Sequence, residues 1–441
     1  MHHPLTAHHW TPQPAAAAVI AELSAGVLAA NSWAAGFAAR LRAETGTRFG
    51  DWLDHLSVAR TAAVESRLRA AGFVDDELGL RHPGGLFPRV TWGASGAAVK
   101  VESVADLLAA NGIEAEIDGQ PGPGLRRALL ADGVAHLWAV ERLGGTGIAP
   151  TSAAPALAVA AQCHGERLRC RRRAFADPGE GFAHARRLID AAIAEVGRDA
   201  ACALFFAAER DYWQRRTRAA RVQRARQDAL GLGWGNHDHH TYRSSRAWFA
   251  PMIAELERLG FVCRERFYAG AEAGWGAQVL EQSATGIVIF ADVDLSPDEL
   301  REDFAHAPLP SRDHLGTVGL WCALHGEAFL EAGMHHLEAT FAFDDARAQL
   351  AALGVATMKP FTDYPYLRQC FTAGERWPVA PARIDRLLGE GMITADQADI
   401  FRREGALGAH LEILERNDGF KGFNQHGVSE IIAATDPRHA H

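Results

Sequence analysis

Lysine is nearly absent: Lys100, Lys359 and Lys421 are the whole complement, and Asp+Glu outnumber Lys+Arg by 54 to 45, for a formal net charge of −9. Proteins that bind nucleic acid gather cations to displace counterions from phosphates, so this balance argues against such a partner and for a small-molecule substrate. Abundant alanine and arginine beside so little lysine read as GC-rich codon usage, and a lysine kept against that bias is notable. The six cysteines (Cys163, Cys170, Cys202, Cys263, Cys322, Cys370) form no C-x-x-C pair and no dense framework. A disulfide scaffold is thereby excluded, and reduced thiols in a cytoplasmic enzyme are expected. No stretch approaches the roughly 18 uncharged apolar residues of a membrane helix. The start, MHHPLTAHHW, lacks the cationic and apolar regions of a signal peptide, and its histidines His2, His3, His8 and His9 read as a polar tail. There is no G-x-S-x-G, and Gly270, Gly274 and Gly276 have neither a P-loop lysine nor a following dinucleotide helix, so they read as a turn or cavity lid.

What is present is ordinary globular material, 441 residues with 48% hydrophobic and 22% charged, enough for two to four folding units. Residues 1–48 read as a tail and helices. From 49 to 147 short β-like runs (WLDHLSV, FPRVTW, AAVKVES, AHLWAVE) alternate with short helices. Residues 148–231 are helical, with an arginine-studded face (Arg210, Arg215, Arg216, Arg218, Arg221, Arg224, Arg226) suited to a solvated or interdomain connector. From 232 to 441 the α+β texture returns: HDHHTYRSS, AQVLEQ, GIVIFADVDL, VGLWCAL, HHLEATFAF, YLRQCFTA and AHLEILERN are expected as strands, with helices between them. The fold class expected is α+β, with tandem βαβββ modules around a metal cavity, a degenerate N-terminal copy and a helical connector.

An internal repeat supports that division. The segment AHLWAVERLGGTG at 135–147 aligns with AHLEILERNDGFKG at 409–422, VKVESVADLLAANGI matches TFAFDDARAQLAALGV in pattern, and WLDHLSV matches DHHTYRS. On this alignment Trp138 stands where the second copy has Glu412, His336 falls near Ala94, and only His55 answers to His239 or His240. The first copy has lost potential ligands that the second keeps.

Two neutral imidazoles and one ionised carboxylate commonly hold a divalent metal while leaving about three positions open for substrate and dioxygen. The second copy offers His239 and His240, His335 and His336, and Glu412 or Glu415. Strand alternation lets one member of each adjacent pair face a given cavity and separates Glu412 from Glu415, while His410 shares the Glu412 face as a reserve ligand. A strand histidine is more often packed than ligating, so the weight rests on two pairs and a strand carboxylate occurring together. His306, His314 and His325 read as singletons, and Asp292 and Asp294 as a strand end and helix cap.

Three collinear patterns resemble the 2-oxoadipate dioxygenase/decarboxylase family, also called hydroxyglutarate synthase, of the vicinal oxygen chelate superfamily. They are His239-His240-Thr241-Tyr242-Arg243; His335-His336-Leu337 followed by a helix and Tyr366-Leu367-Arg368-Gln369-Cys370-Phe371-Thr372; and Glu412-Ile413-Leu414-Glu415-Arg416 followed by Lys421-Gly422. The likeness spans residues 236–426. It implies His239, His336 and Glu412 as Fe(II) ligands, Arg243 as the clamp on a substrate carboxylate, and a small 2-oxo acid and dioxygen as substrates, with oxidative decarboxylation and hydroxylation to a 2-hydroxy acid. Arg243 lies roughly 13 Å along the strand from His239 at about 3.3 Å per residue, on the same face. Gln369 or Arg368, whichever points inward, and Lys421 in its glycine-flanked loop are further candidates for substrate contact. The competing expectations are a non-oxidative metalloenzyme of the same superfamily, such as an isomerase or lyase, and a non-catalytic small-molecule binding protein.

Overall fold

The computed structural model describes residues 9–270, 273–424 and 435–438; His2, His3 and His8 lie outside the described residues. Helices α1 (Pro14–Ala30) and α2 (Ser32–Arg40) open the chain. Asn31 breaks them apart: its side-chain oxygen accepts from Ala34 N–H, capping α2, and its amide donates to Ala135 O at 2.8 Å, tying the pair to the sheet beneath.

That sheet consists of β1 (Leu53–Val58), α3 (Ala62–Ala70), β2 (Val74–Asp76), β3 (Gly79–Arg81), β4 (Arg89–Trp92), β5 (Gly96–Val101), α4 (Val104–Asn111), β6 (Ile117–Asp118), β7 (Gly124–Ala131) and β8 (His136–Leu143). Its strand order is β2-β3-β4-β1-β5-β8-β7-β6. Strand β1 is parallel to β4 and β5 to β8, and the halves join antiparallel at β1–β5. The region therefore contains two βαβββ modules side by side. Alternate residues Leu56, Val99, Leu137 and Ala139 form a core with Ile20, Phe37 and Leu107 of the helices.

Four helices follow: α5 (Pro155–Arg169), α6 (Pro178–Val196), α7 (Arg198–Arg216) and α8 (Arg218–Asp228). Several of their arginines are engaged within the chain. Arg216 donates to Glu331 O at 2.9 Å, Arg224 pairs with Glu102 and Asp228, and buried Arg210 reaches His240 Nε2 at 3.3 Å.

The second sheet repeats the first. It consists of β9 (His237–Arg243), α9 (Phe249–Arg258), β10 (Val262–Tyr268), β11 (Trp275–Gln282), β12 (Ile287–Asp294), α10 (Thr317–His325), β13 (His336–Thr340), α11 (Phe343–Ala352), β14 (Thr362–Tyr364), β15 (Leu367–Phe371), β16 (Glu375–Trp377), α12 (Pro381–Gly389), α13 (Ala395–Glu404) and β17 (Ala406–Arg416). Strand order is β10-β11-β12-β9-β13-β17-β15-β14, with β16 beside β17. Again β9 is parallel to its β12 and β13 to its β17, and the modules meet antiparallel at β9–β13. The architecture is thus α+β with tandem βαβββ modules, two in each sheet.

One expected strand is a helix. VGLWCAL lies in α10, and every residue from Thr317 to Leu324 except Ala323 is buried. An apolar run buried all round carries no periodicity to separate strand from helix. Its N-terminus is capped by Asp294, whose carboxylate accepts from Val318 and Gly319 N–H at 3.0 and 2.8 Å. Among the described residues no single helix is long and apolar enough to cross a membrane.

Candidate metal centre

Strand β9 bulges at Asp238: His237 pairs with Ala339 and His239 with Glu338, leaving Asp238 as the extra residue. The bulge puts Asp238 beside its neighbour, and His239 Nδ1 meets Asp238 Oδ1 at 2.7 Å. Arg416 grips the same carboxylate with two donors at 2.8 and 3.0 Å. With the Nδ1 proton donated to Asp238, the lone pair of His239 Nε2 points inward. Beyond the bulge the alternation is regular. His239, Thr241 and Arg243 line one cavity, while His240 and Tyr242 face the connector helices against Phe206.

The register across the sheet gathers the donors: His239 is level with Glu338 on β13, and Glu338 with Glu412 on β17. His239, Glu338 and Glu412 each offer an atom within 4.8 Å of the others. His336, two residues before Glu338 on the same face, has its Nε2 at 2.7 Å from Glu338 Oε1 and 3.6 Å from Glu412 Oε2, and His239 Nε2 is 2.6 Å from that same Glu338 oxygen. Gln369 on β15 donates to Glu412 Oε1 at 2.7 Å. The cavity is about 80 Å³ and its other walls are aromatic, with Phe290 and Phe423 at 5.0 Å from the His239 ring and Phe371 at 4.1 Å from His410. Arg416 holds Phe423 there by donating to Phe420 O and Gly422 O of the loop before it.

Burial governs the protonation of this pocket. Burial lowers His239 to about 4 and His410 to about 3, and holds His335 and His336 well below the ordinary imidazole value, so all four rings are neutral. Burial raises both Glu338 and Glu412 above the ordinary carboxyl range; Glu412 pushes Glu338 further up, while hydrogen bonds from Glu338 and Gln369 hold Glu412 back. Glu338 Oε2, His335 Nε2, both ring nitrogens of His410 and Gln369 Oε1 are buried with no hydrogen-bond partner. Neutral imidazoles and paired carboxylates with unused lone pairs are the donor set of a divalent metal. The residues fit such an ion.

Of the residues singled out in the sequence, His239, His336, Glu412, Gln369 and Arg243 all line this cavity. Arg243 Nε stands 3.9 Å from Asp292 Oδ2, and its Nε and Nη1 make no hydrogen bond. Three expectations are corrected. Lys421 does not line the cavity; its Nζ pairs with Glu281 at 3.0 Å and lies over Trp10. Both members of the second histidine pair face inward, because β13 begins at His336 and His335 precedes the alternating stretch, their Nδ1 atoms 2.7 Å apart. Asp292 is no mere strand end: it lines the cavity opposite Arg243, and burial pushes it up to about 8. Arg368 points outward to Asp344 and Asp363. Glu338 went unread, although its place two residues after His336 puts it on the same strand face.

No protein-family model matches the chain, and no curated protein matches it. Among solved structures, a mutant 4-hydroxymandelate synthase from Streptomyces coelicolor is similar at 12% identity, covering 77% of this chain and 95% of its own, with a TM-score of 0.32. Methylmalonyl-CoA epimerase from Mycobacterium tuberculosis is similar at 12% identity over 41% of this chain and 88% of its own, TM-score 0.24. The uncharacterized protein YdcJ from Shigella flexneri, which includes a DUF1338 domain, is similar at 12% identity over 41% of this chain and 58% of its own, TM-score 0.24. At this identity and these TM-scores the likenesses assign neither family nor activity; the tandem βαβββ architecture is read from the chain's own sheet order.

Proposed function

We propose that the chain is an Fe(II)-dependent dioxygenase that decarboxylates a small 2-oxo acid, with His239, His336 and Glu412 as metal ligands and the Glu338 carboxylate as a fourth donor. The observation that carries this reading is the convergence of two neutral imidazoles and two buried carboxylates on one cavity that also holds an arginine with unused donors. Bound Fe(II) would supply Lewis acidity toward the 2-oxo acid and electrons to dioxygen.

The protein's own groups have separable tasks. Asp238 and Arg416 fix the His239 ring so that Nε2 stays a free acceptor. Gln369 holds the Glu412 carboxylate in place. Arg243 offers a planar fork to a substrate carboxylate, in balance with Asp292 behind it. Phe290, Phe371 and Phe423 exclude water, which strengthens each of these contacts. The overall reaction needs no outside reductant: loss of the 2-oxo acid's carboxyl carbon as CO₂ supplies two electrons, hydroxylation of the remaining fragment supplies two more, and both atoms of dioxygen end in the 2-hydroxy acid, one in its new carboxylate and one in its hydroxyl.

The test is an oxygen electrode with anaerobically Fe(II)-loaded protein and a panel of short 2-oxo monoacids and diacids, with CO₂ measured in parallel. Equal consumption of O₂ and release of CO₂ with one of them is expected. Metal uptake without oxygen consumption on any of the panel contradicts the oxygenase reading and leaves a non-oxidative metalloenzyme. Loss of Arg243 as Arg243→Met should raise KM for a diacid far more than for a monoacid.

A further inference from the structure

A second cavity of about 920 Å³, open to solvent, lies between the first sheet and helices α5, α7 and α8. Lys100 stands in its wall, on the β5 face that also carries Ala98, level with Val140 of β8 and so near Arg142. Its neighbours are committed to one another. Arg142 is gripped by Asp54 at 2.7 and 2.9 Å, and Glu102 takes Arg224 at 2.6 Å and Arg210 at 3.5 Å. Lys100 Nζ has no carboxylate within ion-pair distance among the described residues. The other cations of the wall are paired, Arg142 with Asp54, Arg169 with Asp211, and Arg210 and Arg224 with Glu102, so Lys100 is the wall cation that has no ion pair among the described residues. Arg210 is 7% exposed and its Nε makes no hydrogen bond; His237 Nδ1, in the same wall, is also buried without a partner. Ala158, Leu204 and Ala207 supply an apolar side.

We propose that this cavity is a second ligand site, separate from the metal centre, which binds a monoanionic organic acid with its carboxylate on Lys100 and its short apolar body against α5 and α7. An unpaired cation half removed from water, with unused donors beside it and apolar walls opposite, is complementary to that chemistry. The proposal does not depend on the metal centre's occupancy or activity.

The chain's three lysines make the test readable. Full-length protein at pH 8 is treated with glyoxylate and cyanoborohydride: the free amine condenses with the aldehyde, water leaves, and the borohydride's hydride reduces the imine to an N-carboxymethyl lysine located by peptide mass spectrometry. Lys359, exposed and in no ion pair, is the internal reference, and Lys421 is held by Glu281. Burial lowers Lys100 to about 8, against the attraction of Asp54. Lys100 labelling at least about tenfold faster than Lys359 is expected, because the cavity would hold glyoxylate beside an amine that burial keeps substantially unprotonated. It should saturate with glyoxylate and be suppressed by butyrate but not by inorganic phosphate. Labelling of Lys100 that is no faster than Lys359, that rises linearly without saturation, or that phosphate blocks and butyrate does not, overturns the proposal. As a second readout, butyrate should raise the Tm of the wild-type protein and not that of Lys100→Met; an equal rise in both overturns it too.

Discussion

The two sheets keep the same device and use it differently. In the first, Asp54 sits at a bulge in β1, takes His55 Nδ1 at 2.7 Å and pairs with Arg142 of β8; in the second, Asp238, His239 and Arg416 repeat all three contacts. Reading across the register from the histidine, the first sheet continues His55, Ala98, Trp138, and the second His239, Glu338, Glu412. Gly96 takes the place of His336, and a Cβ there would meet His136 O at 2.6 Å, so no side chain can return without moving backbone. The Asp-His-Arg trio is therefore a structural brace of the fold. What distinguishes the second sheet is a pair of buried carboxylates with no arginine or lysine ion pair among the described residues, a costly arrangement that a metal ion would relieve.

The largest break in that comparison should come from the ligands. His336→Ala or Glu412→Ala is expected to lower Fe(II) affinity by more than the roughly 10–100-fold that loss of an outer partner costs, while His55→Ala leaves it unchanged. Equal effects at the two histidines would mean that the sheets are not functionally distinct. Next come the braces themselves. Asp238→Asn should weaken metal binding by roughly 10–100-fold, read by competition with a chelator. Asp54→Asn should leave metal binding alone and lower stability by about 1–3 kcal/mol, because it strands the Arg142 donors.

Glu338→Gln sharpens the point by its sign. In metal-free protein it removes one of two repelling buried carboxylates and should stabilise the fold by about 1–2 kcal/mol in urea unfolding, while the same change weakens metal binding. A destabilised metal-free variant would mean that the pair is already satisfied.

Acid should separate the sheets more gently. His239, lowered to about 4, and His410 and His325, both to about 3 by burial, bind fewer protons folded than unfolded below the ordinary value of 6.5. Their contribution to stability is complete above 6.5 and falls away as pH drops toward 4. Asp54 is the other case: although burial opposes it, hydrogen bonds from Arg142 and His55 hold its carboxyl below 3.8, so its contribution persists until the pH falls through that value. Glu338, Glu412 and Asp292, raised by burial, work in the opposite sense above the ordinary carboxyl value of 4.5, so hydrogen exchange of the metal-free protein should show the second sheet losing protection below about pH 4.5, where the histidines act unopposed, before the first. Simultaneous loss would remove this distinction.

Much of this was legible in the sequence because period-2 alternation and the repeat are both linear signals. Aligning 135–147 with 409–422 puts Trp138 on Glu412, as the register does, and the match of β1 with β9 makes His55 the counterpart of His239 or His240, of which the register selects His239. The alignment of His336 was two residues off, at Ala94 where the sheet has Gly96, since nothing in an alanine-rich stretch anchors the register. Glu338 escaped because a carboxylate on an otherwise apolar strand was not weighed once one ligand carboxylate had been found. The roles of Asp238 and Arg416 depend on a bulge, and those of His335 and α10 on where a strand begins and a buried helix runs; neither leaves a periodic trace. Lys421 looked free beside its glycines, and only the folded chain brings Glu281 to it.

The most direct measurement is an anaerobic titration of the metal-free protein with Co(II), followed by its visible absorption, for wild type and His239→Ala. The account expects tight binding of one equivalent per chain, abolished by the substitution. No tight binding in the wild type, or one equivalent that survives in His239→Ala, would contradict it.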